Sequence, residues 1–160
     1  MSGPAEGDKA PDFELETADG PVRLADFAGK TLVLYFYPKD DTTGCTREAQ
    51  DFTALAADFA KAGAAVVGVS KDTVTKHQKF TAKYDLGVVL GSDPEGAVVE
   101  RYGSWVEKTL YGRQYMGIDR STFLIDREGV IRNVWRKVKV PNHIKAVLTA
   151  ARALKEGAGK

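Results

Sequence analysis

A single cysteine sets the question. The stretch Tyr35–Arg47 reads YFYPKDDTTGCTR and carries the chain's one thiol, Cys45, where an apolar run gives way to helix-type sequence. A free thiol with pKa near 8.5 is only a few per cent ionised at neutral pH, and the thiolate is the nucleophile. Three features bear on that. Cys45 falls in the opening turn of the expected helix, where unpaired N–H groups and the positive end of the helix dipole favour an anion. Thr42, three residues earlier, offers a hydroxyl that can cap the helix or donate to an anion or a substrate oxygen. Pro38 stops the strand ladder and fixes the backbone where the loop begins.

Ionisation alone is not enough. Taking a thiol to nearly full thiolate gains only about thirtyfold, roughly 2 kcal/mol. An efficient thiol enzyme needs groups that stabilise charge as it moves in the transition state. Arginine suits this, because its fork can hold a thiolate and a substrate oxygen together and it keeps its charge. Arg47, two positions along the same helix, is expected to point away from Cys45. Arg120 precedes the strand-type run STFLID, which could present it at a sheet edge, and is the favoured candidate. The competing reading is an inert thiol, since free cysteine is among the most buried residue types. The pattern Pro-x-x-x-Thr-x-x-Cys at a strand-to-helix junction moves the balance. Given average proline usage, that pair of offsets arises by chance in under roughly 1% of cases.

The elements that must position these groups follow from periodicity. TLVLYFY and AAVVGVS are continuous β-favouring runs, read as buried strands. Between them Ala49, Phe52, Leu55, Ala56 and Phe59 recur at helical spacing, giving one helix that ends at Gly63. Val74, His77, Phe80, Thr81 and Tyr84 mark a second helix, GVVLGSD a third strand and PEGAVVERYG a short helix. STFLID, the turn REG and VIRNVWRKV form a hairpin, and a final helix carries Ile144, Val147, Leu148, Ala151 and Leu154 on one face. ADG before VRLADFAGK reads as a turn. The expected fold is α/β: a central mixed β-sheet flanked by helices, in one domain over residues 1–160.

The totals exclude several classes. There are 160 residues, with 23 Lys and Arg against 22 Asp and Glu and a formal net charge of +1. No basic block is present, which argues against nucleic acid. No run approaches the roughly 20 apolar residues of a membrane span, and the N-terminus lacks the pattern of a secretory signal. One cysteine cannot form an internal disulfide framework, so a reducing, cytoplasmic setting is expected. His77 and His143 lie far apart with no Cys or carboxylate at ligand spacing, so neither a metal nor a cofactor is expected. His77 reads as packed or partly exposed, and the adjacent Asp40 and Asp41 read as a solvated loop. Trp105, Tyr111, Tyr115 and Met116 read as core packing, or else as a rim to the site or a subunit contact, with Gly103, Gly112 and Gly117 suggesting irregular loops.

YFYPKDDTTGCTREAQDF together with YGRQYMGIDRSTFLIDREGVI, supported by APDFEL and VVGVSKD, resembles a peroxiredoxin of the Q or bacterioferritin-comigratory type. The resemblance runs from about Lys9 to Leu154. It implies a thioredoxin-like fold and a peroxidase acting on hydrogen peroxide and organic hydroperoxides. Residue by residue, Cys45 matches the peroxidatic cysteine, Thr42 the hydroxyl that holds the peroxide, Pro38 the proline that shields the thiolate and Arg120 the second-motif arginine. Glu48 matches a nearby acid that orients the arginine. Two departures are informative. Relatives carry a resolving cysteine either five residues after the first, here Gln50, or in the next helix near Thr81. Residues i and i+5 of a helix stand about 140° apart around its axis, so relatives using that pair must unwind the helix to join them. This chain has no such need, and its sulfenic acid is expected to await an external thiol, from thioredoxin or from glutathione with glutaredoxin. Thr43 stands where the family has proline and is expected to serve as N-cap.

The oligomeric expectation is a monomer or weak homodimer. A thioredoxin-like disulfide reductase is disfavoured, since that chemistry uses Cys-x-x-Cys and position 48 is Glu48. A binding or chaperone protein with an incidental thiol is the remaining alternative.

Overall fold

The structure, a computed structural model, describes residues 3–158. Residues 1, 2, 159 and 160 of the expected 1–160 domain lie outside those described. The β-favouring runs form the middle of a seven-stranded sheet. Its strands are β1 (Glu14–Thr17), β2 (Gly20–Arg23), β3 (Thr31–Phe36), β4 (Ala64–Ser70), β5 (Val89–Ser92), β8 (Ser121–Ile125) and β9 (Ile131–Trp135), in the order β2-β1-β5-β4-β3-β8-β9. β3 pairs in parallel with β4, and β4 with β5, while β8 lies antiparallel to both β3 and β9. This is the expected mixed sheet. Every residue of β3 is buried because the strand has a neighbour on each edge and a layer on each face.

Side chains alternate along a strand, so β3 divides its residues between two cores. Val33 and Tyr35, with Tyr37 beyond the strand, pack under α1 (Thr43–Ala54), α2 (Ala56–Lys61), α3 (Val74–Tyr84) and α5 (His143–Ala158). Leu32, Leu34 and Phe36 face the opposite layer, which holds Phe13, Tyr102, Phe123 and the Val98–Val99 pair of α4 (Ala97–Arg101). On the first face Phe52 is fully buried and stacks on Tyr35 with ring centroids 4.6 Å apart. Truncating such a ring to alanine costs about 3–5 kcal/mol. Gly68 on β4 lies opposite Tyr35, and a Cβ there would sit 2.5 Å from its ring. Only glycine lets that ring lie flat on the strand.

Three elements differ from expectation. The helix read as continuous to Gly63 breaks at Leu55, whose amide is shared between the carbonyls of Asp51 and Phe52. Phe59 still joins the same core, so the apolar stripe runs on across a break that no Gly or Pro marks. The turn before VRLADFAGK belongs to a full β1–β2 hairpin, and a 3-10 turn follows at Leu24–Phe27. Of the aromatic segment only Trp105 packs on the core as expected, and the segment is not irregular loop. It forms a separate two-stranded hairpin of β6 (Trp105–Leu110) and β7 (Arg113–Ile118). Tyr111 at its tip is 95% exposed, and Tyr115 and Met116 are exposed as well. An isolated ribbon has no second layer to cover it, so only its base, at Trp105 and Ile118, packs on the core.

Candidate active site

β3 ends at Phe36, and the chain turns through Tyr37–Thr42 into α1. At Asp41 the backbone is left-handed, φ +59°, a conformation that aspartate tolerates better than most residues. The turn sends the two aspartates to different places. Asp41 is exposed and accepts hydrogen bonds from Tyr84 Oη at 2.6 Å and Lys83 Nζ at 2.9 Å, which hold its carboxyl below the usual range. Asp40 is buried. Its Oδ1 accepts from the Tyr37 hydroxyl at 2.5 Å, its Oδ2 lies 2.6 Å from His77 Nδ1, and its amide donates to Asp72 Oδ2 at 2.8 Å. The expected solvated loop is therefore half wrong. A buried carboxylate needs partners, and Tyr37 nearby and His77 of α3, distant in sequence, supply them. His77 is likewise fully packed, at 2% exposure.

α1 starts with Thr42 as N-cap, in extended backbone conformation. The Thr42 hydroxyl makes no capping bond and donates instead to the Lys39 carbonyl at 2.8 Å. Thr43 is the first helical residue and not the cap, because the extended backbone ends one position earlier. That slot, N1, is where proline is best tolerated. Pro38 lies on the exposed side of the loop. Cys45 follows in the first turn, 2% exposed, in the cluster with Tyr37, Ala49 and Phe52.

Arg120 arrives from the other side. Ser121 pairs with Phe36 across β3 and β8, so the residue before it comes level with the Cys45 loop. Its guanidinium forks: Nη2 donates to Cys45 Sγ at 3.2 Å and Nη1 to Glu48 Oε1 at 2.6 Å. Glu48 is three residues after Cys45, hence on the same helix face, and is fully buried. Burial pushes its pKa up to about 7, against the attraction of Arg120. Its Oε2 and the Tyr35 hydroxyl are buried without a hydrogen-bond partner among the described residues. Arg47 is exposed, 3.9 Å from Asp51, and faces away from the sulfur. One site residue escaped the sequence reading. A Cβ at Gly44 would lie 3.0 Å from Arg120 Nη2, so the missing side chain makes room for the guanidinium. The available signal was a glycine in the first turn of a helix, where propensity disfavours it.

His143, at the start of α5, lies behind the arginine. Its Nε2 is 2.9 Å from Thr122 Oγ1, and burial, with Arg120 adding to it, lowers its pKa to about 4. Among the described residues no group of three or more His, Cys, Asp or Glu stands close enough to hold a metal ion. No helix among them is long and apolar enough to cross a membrane.

The arrangement can place a guanidinium between a sulfur and an incoming electron-rich group, with a carboxylate behind it. Known proteins are similar to this chain in sequence and fold. The AhpC/TSA family matches residues 6–134. Peroxiredoxin Bcp of Bacillus subtilis is 47% identical over 151 residues, covering 94% of this chain and 96% of that protein. Peroxiredoxin Bcp of Xanthomonas campestris is 50% identical over 143 residues, 89% of each. A solved structure of the X. campestris bacterioferritin comigratory protein, studied for alkyl peroxide reduction, superposes with TM-score 0.85 at 45% identity over 89% of this chain and 92% of that one. A cysteine-to-serine mutant of Xylella fastidiosa PrxQ superposes with TM-score 0.90 at 37% identity, covering 96% and 98%. Sequence and fold thus converge: the chain belongs to the AhpC/TSA family, among the peroxiredoxins of the bacterioferritin comigratory type, which are thiol-dependent peroxidases.

Proposed function

We propose that Cys45 Sγ is the atom that attacks peroxide. The observation that carries this is the Arg120 fork, with one nitrogen on the sulfur at 3.2 Å and the other held by Glu48 at 2.6 Å. A guanidinium in that place stabilises negative charge on sulfur and on the oxygen that departs. The sulfur of the thiolate bonds to one peroxide oxygen and the O–O bond breaks. The other oxygen takes a proton and leaves as water or alcohol, and Cys45 becomes a sulfenic acid. In this reading Thr42 turns its hydroxyl from the Lys39 carbonyl to the peroxide, α1 N–H groups share the charge, Glu48 orients Arg120, and Pro38 limits water at the loop.

The chain holds one cysteine, with Gln50 and Thr81 at the positions where relatives place a second. An external thiol attacks the sulfenic sulfur and releases water. A second thiol then breaks the mixed disulfide and restores Cys45. We assign hydrogen peroxide and alkyl hydroperoxides as substrates, thioredoxin or glutathione with glutaredoxin as reductant, and a reducing, cytoplasmic setting. The chain acts as one domain, a monomer or weak homodimer. Stopped-flow peroxide consumption by the reduced protein tests the site. Cys45→Ser should reduce it to the uncatalysed rate, and mass spectrometry after one equivalent should show one added oxygen on Cys45. Consumption that survives Cys45→Ser would overturn the assignment. A coupled assay comparing thioredoxin with glutathione–glutaredoxin identifies the reductant, and sedimentation against concentration settles the assembly.

A further inference from the structure

The loop that delivers Cys45 is fastened at its middle, away from the site, by a buried acid–imidazole pair that takes no part in the peroxide step. Asp40 is 8% exposed and His77 2%. His77 Nε2 lies 3.1 Å from the Gly91 carbonyl oxygen, which can only accept, so that nitrogen carries a hydrogen. The Tyr37 hydroxyl gives its hydrogen to Asp40 Oδ1. Between His77 Nδ1 and Asp40 Oδ2, 2.6 Å apart, one further proton must therefore reside. With it every polar atom of the pair has a partner. A fully satisfied buried network of this kind rigidifies what it joins.

What it joins is specific. Asp40 lies five residues before Cys45. Its own amide is bound to Asp72, and Asp72 is held by the Ser70 hydroxyl at 2.7 Å. Its neighbour Asp41 reaches the far end of the same helix, at Lys83 and Tyr84. His77 and Tyr84 are seven residues apart and so share one face of α3. Two adjacent aspartates thus latch the loop to α3 at points two turns apart, and the second of them, Asp41, is left-handed. The interior latch is buried, and the exterior one is exposed and worth less.

We propose that Asp40 and His77 are positioning residues for Cys45: their buried pair latches the Tyr37–Thr42 loop to α3, fixing the sulfur against Arg120 and keeping the loop folded when the sulfur is oxidised. This rests on the reading of Cys45 as the reacting atom. A displacement of about 1 Å in a reacting group can cost about a hundredfold in rate.

The test combines three readouts on reduced protein at 25 °C: the second-order rate with hydrogen peroxide, the rate with iodoacetamide, and thermal stability. Asp40→Ala and His77→Leu should slow the peroxide reaction by about 10- to 100-fold, while alkylation, which needs no arginine alignment, stays within about threefold or rises. Asp40→Asn can donate to neutral His77 and accept from Tyr37, so it should restore most of the lost rate. A purely structural pair would lower the melting temperature of these variants yet leave the peroxide rate of the folded protein unchanged, and that result overturns the proposal. Should the variants fail to fold, hydrogen exchange on the unaltered protein decides. The Asp40 amide should stay protected before and after one equivalent of peroxide, and exchange at the rate of an open loop overturns the latch. Cys45→Ser separates the two claims. If it still consumes peroxide, the reading of the site is wrong. If it is inactive while Asp40→Ala and His77→Leu react at full speed, only the latch is.

Discussion

Two stretches of chain lead directly into the site, and they are built in opposite ways. The Tyr37–Thr42 loop feeds Cys45 and is clamped from inside, through Asp40, to α3 and to Asp72 just beyond β4. The β6–β7 hairpin feeds Arg120 and stands out in solvent, with Leu110, Tyr111, Tyr115 and Met116 all exposed. Arg120 is nonetheless held, because the fastening lies at the hairpin's base. The Asp119 amide donates to the Ser104 carbonyl at 2.7 Å, and the Ser104 and Ser121 hydroxyls meet at 2.7 Å. The Arg120 carbonyl accepts from Val138, and Asp119 accepts from the Lys137 amide. Placement of a side chain depends on where its backbone is tied, and the length of ribbon beyond the tie is irrelevant to it. The loop has no slack end, whereas the hairpin is nearly all slack end.

The comparison breaks first at the arginine. If the base ties exist to hold the Arg120 fork, removing the fork should be the most damaging change after loss of Cys45 itself. Arg120→Ala should slow the peroxide reaction by about 10²–10³, the range for losing one preorganised charge-stabilising donor. Arg120→Lys keeps the charge and loses the fork, so it should recover only part of that. Arg47→Ala, on the solvent side of the same helix, should change the rate by less than about twofold, since an exposed pair contributes little. Stopped-flow rates on the three variants check this, and a larger effect at Arg47 would reverse the assignment.

Much of this geometry was legible beforehand, for identifiable reasons. The buried strands and the Cys45 helix announce themselves by local periodicity, and Arg120 by its place before a strand. What stayed hidden is long-range. Nothing near Asp40 says that a histidine 37 residues away will cover it, so a pair of adjacent aspartates reads as solvated. The Leu55 break carries no Gly or Pro. The aromatics of the hairpin have core-like composition, and only the absence of a covering layer puts them in water. Even Tyr111–Gly112 conforms to a two-residue turn, but Tyr gives no hint of the left-handed φ of +52° it adopts.

Glu48 sharpens the comparison from the helix side. The carboxylate holds the second arginine nitrogen, yet burial raises its pKa to about 7. From the ordinary value of 4.5 up to about 7, the folded protein keeps a proton that the unfolded chain has released, so stability falls as pH rises through that window. Above it, the anion braces Arg120. The peroxide rate should therefore show an inflection near pH 7, rising toward alkali. Glu48→Gln should abolish that inflection, flatten the stability slope, and slow the reaction at pH 8 by about tenfold, equivalent to about 1.4 kcal/mol. A pH–rate profile and thermal melts at pH 5 and 8 read both effects. An inflection that persists in Glu48→Gln would assign it to another group.

A smaller effect is expected where α1 meets the arginine. Gly44→Ala improves helix propensity by about 1 kcal/mol. Its methyl would sit 3.0 Å from Arg120 Nη2, so the guanidinium must give by a few tenths of an ångström. The melting temperature should hold or rise while the peroxide rate falls by about three- to tenfold. Opposite signs in the two measurements would show that the glycine is kept for room at the site and not for the helix.

The hairpin tip gives the smallest effect and the cleanest contrast. Tyr111 is 95% exposed and left-handed, beside Gly112 at φ +77°. Two left-handed central residues define the turn that favours Asn-Gly. A left-handed tyrosine costs about 1 kcal/mol that asparagine largely avoids, so Tyr111→Asn should raise the melting temperature by a few degrees at most. The peroxide rate should not move, because the ties that set Arg120 begin at Ser104, seven residues back along the ribbon. The hairpin's Lys108 is lowered in pKa by its own burial first and by Arg120 after. It lies on β6, short of the tip. Should Tyr111→Asn slow the reaction by more than about threefold, strain at the tip must travel down the ribbon to the arginine, and the base ties would not isolate the site as they are argued to do.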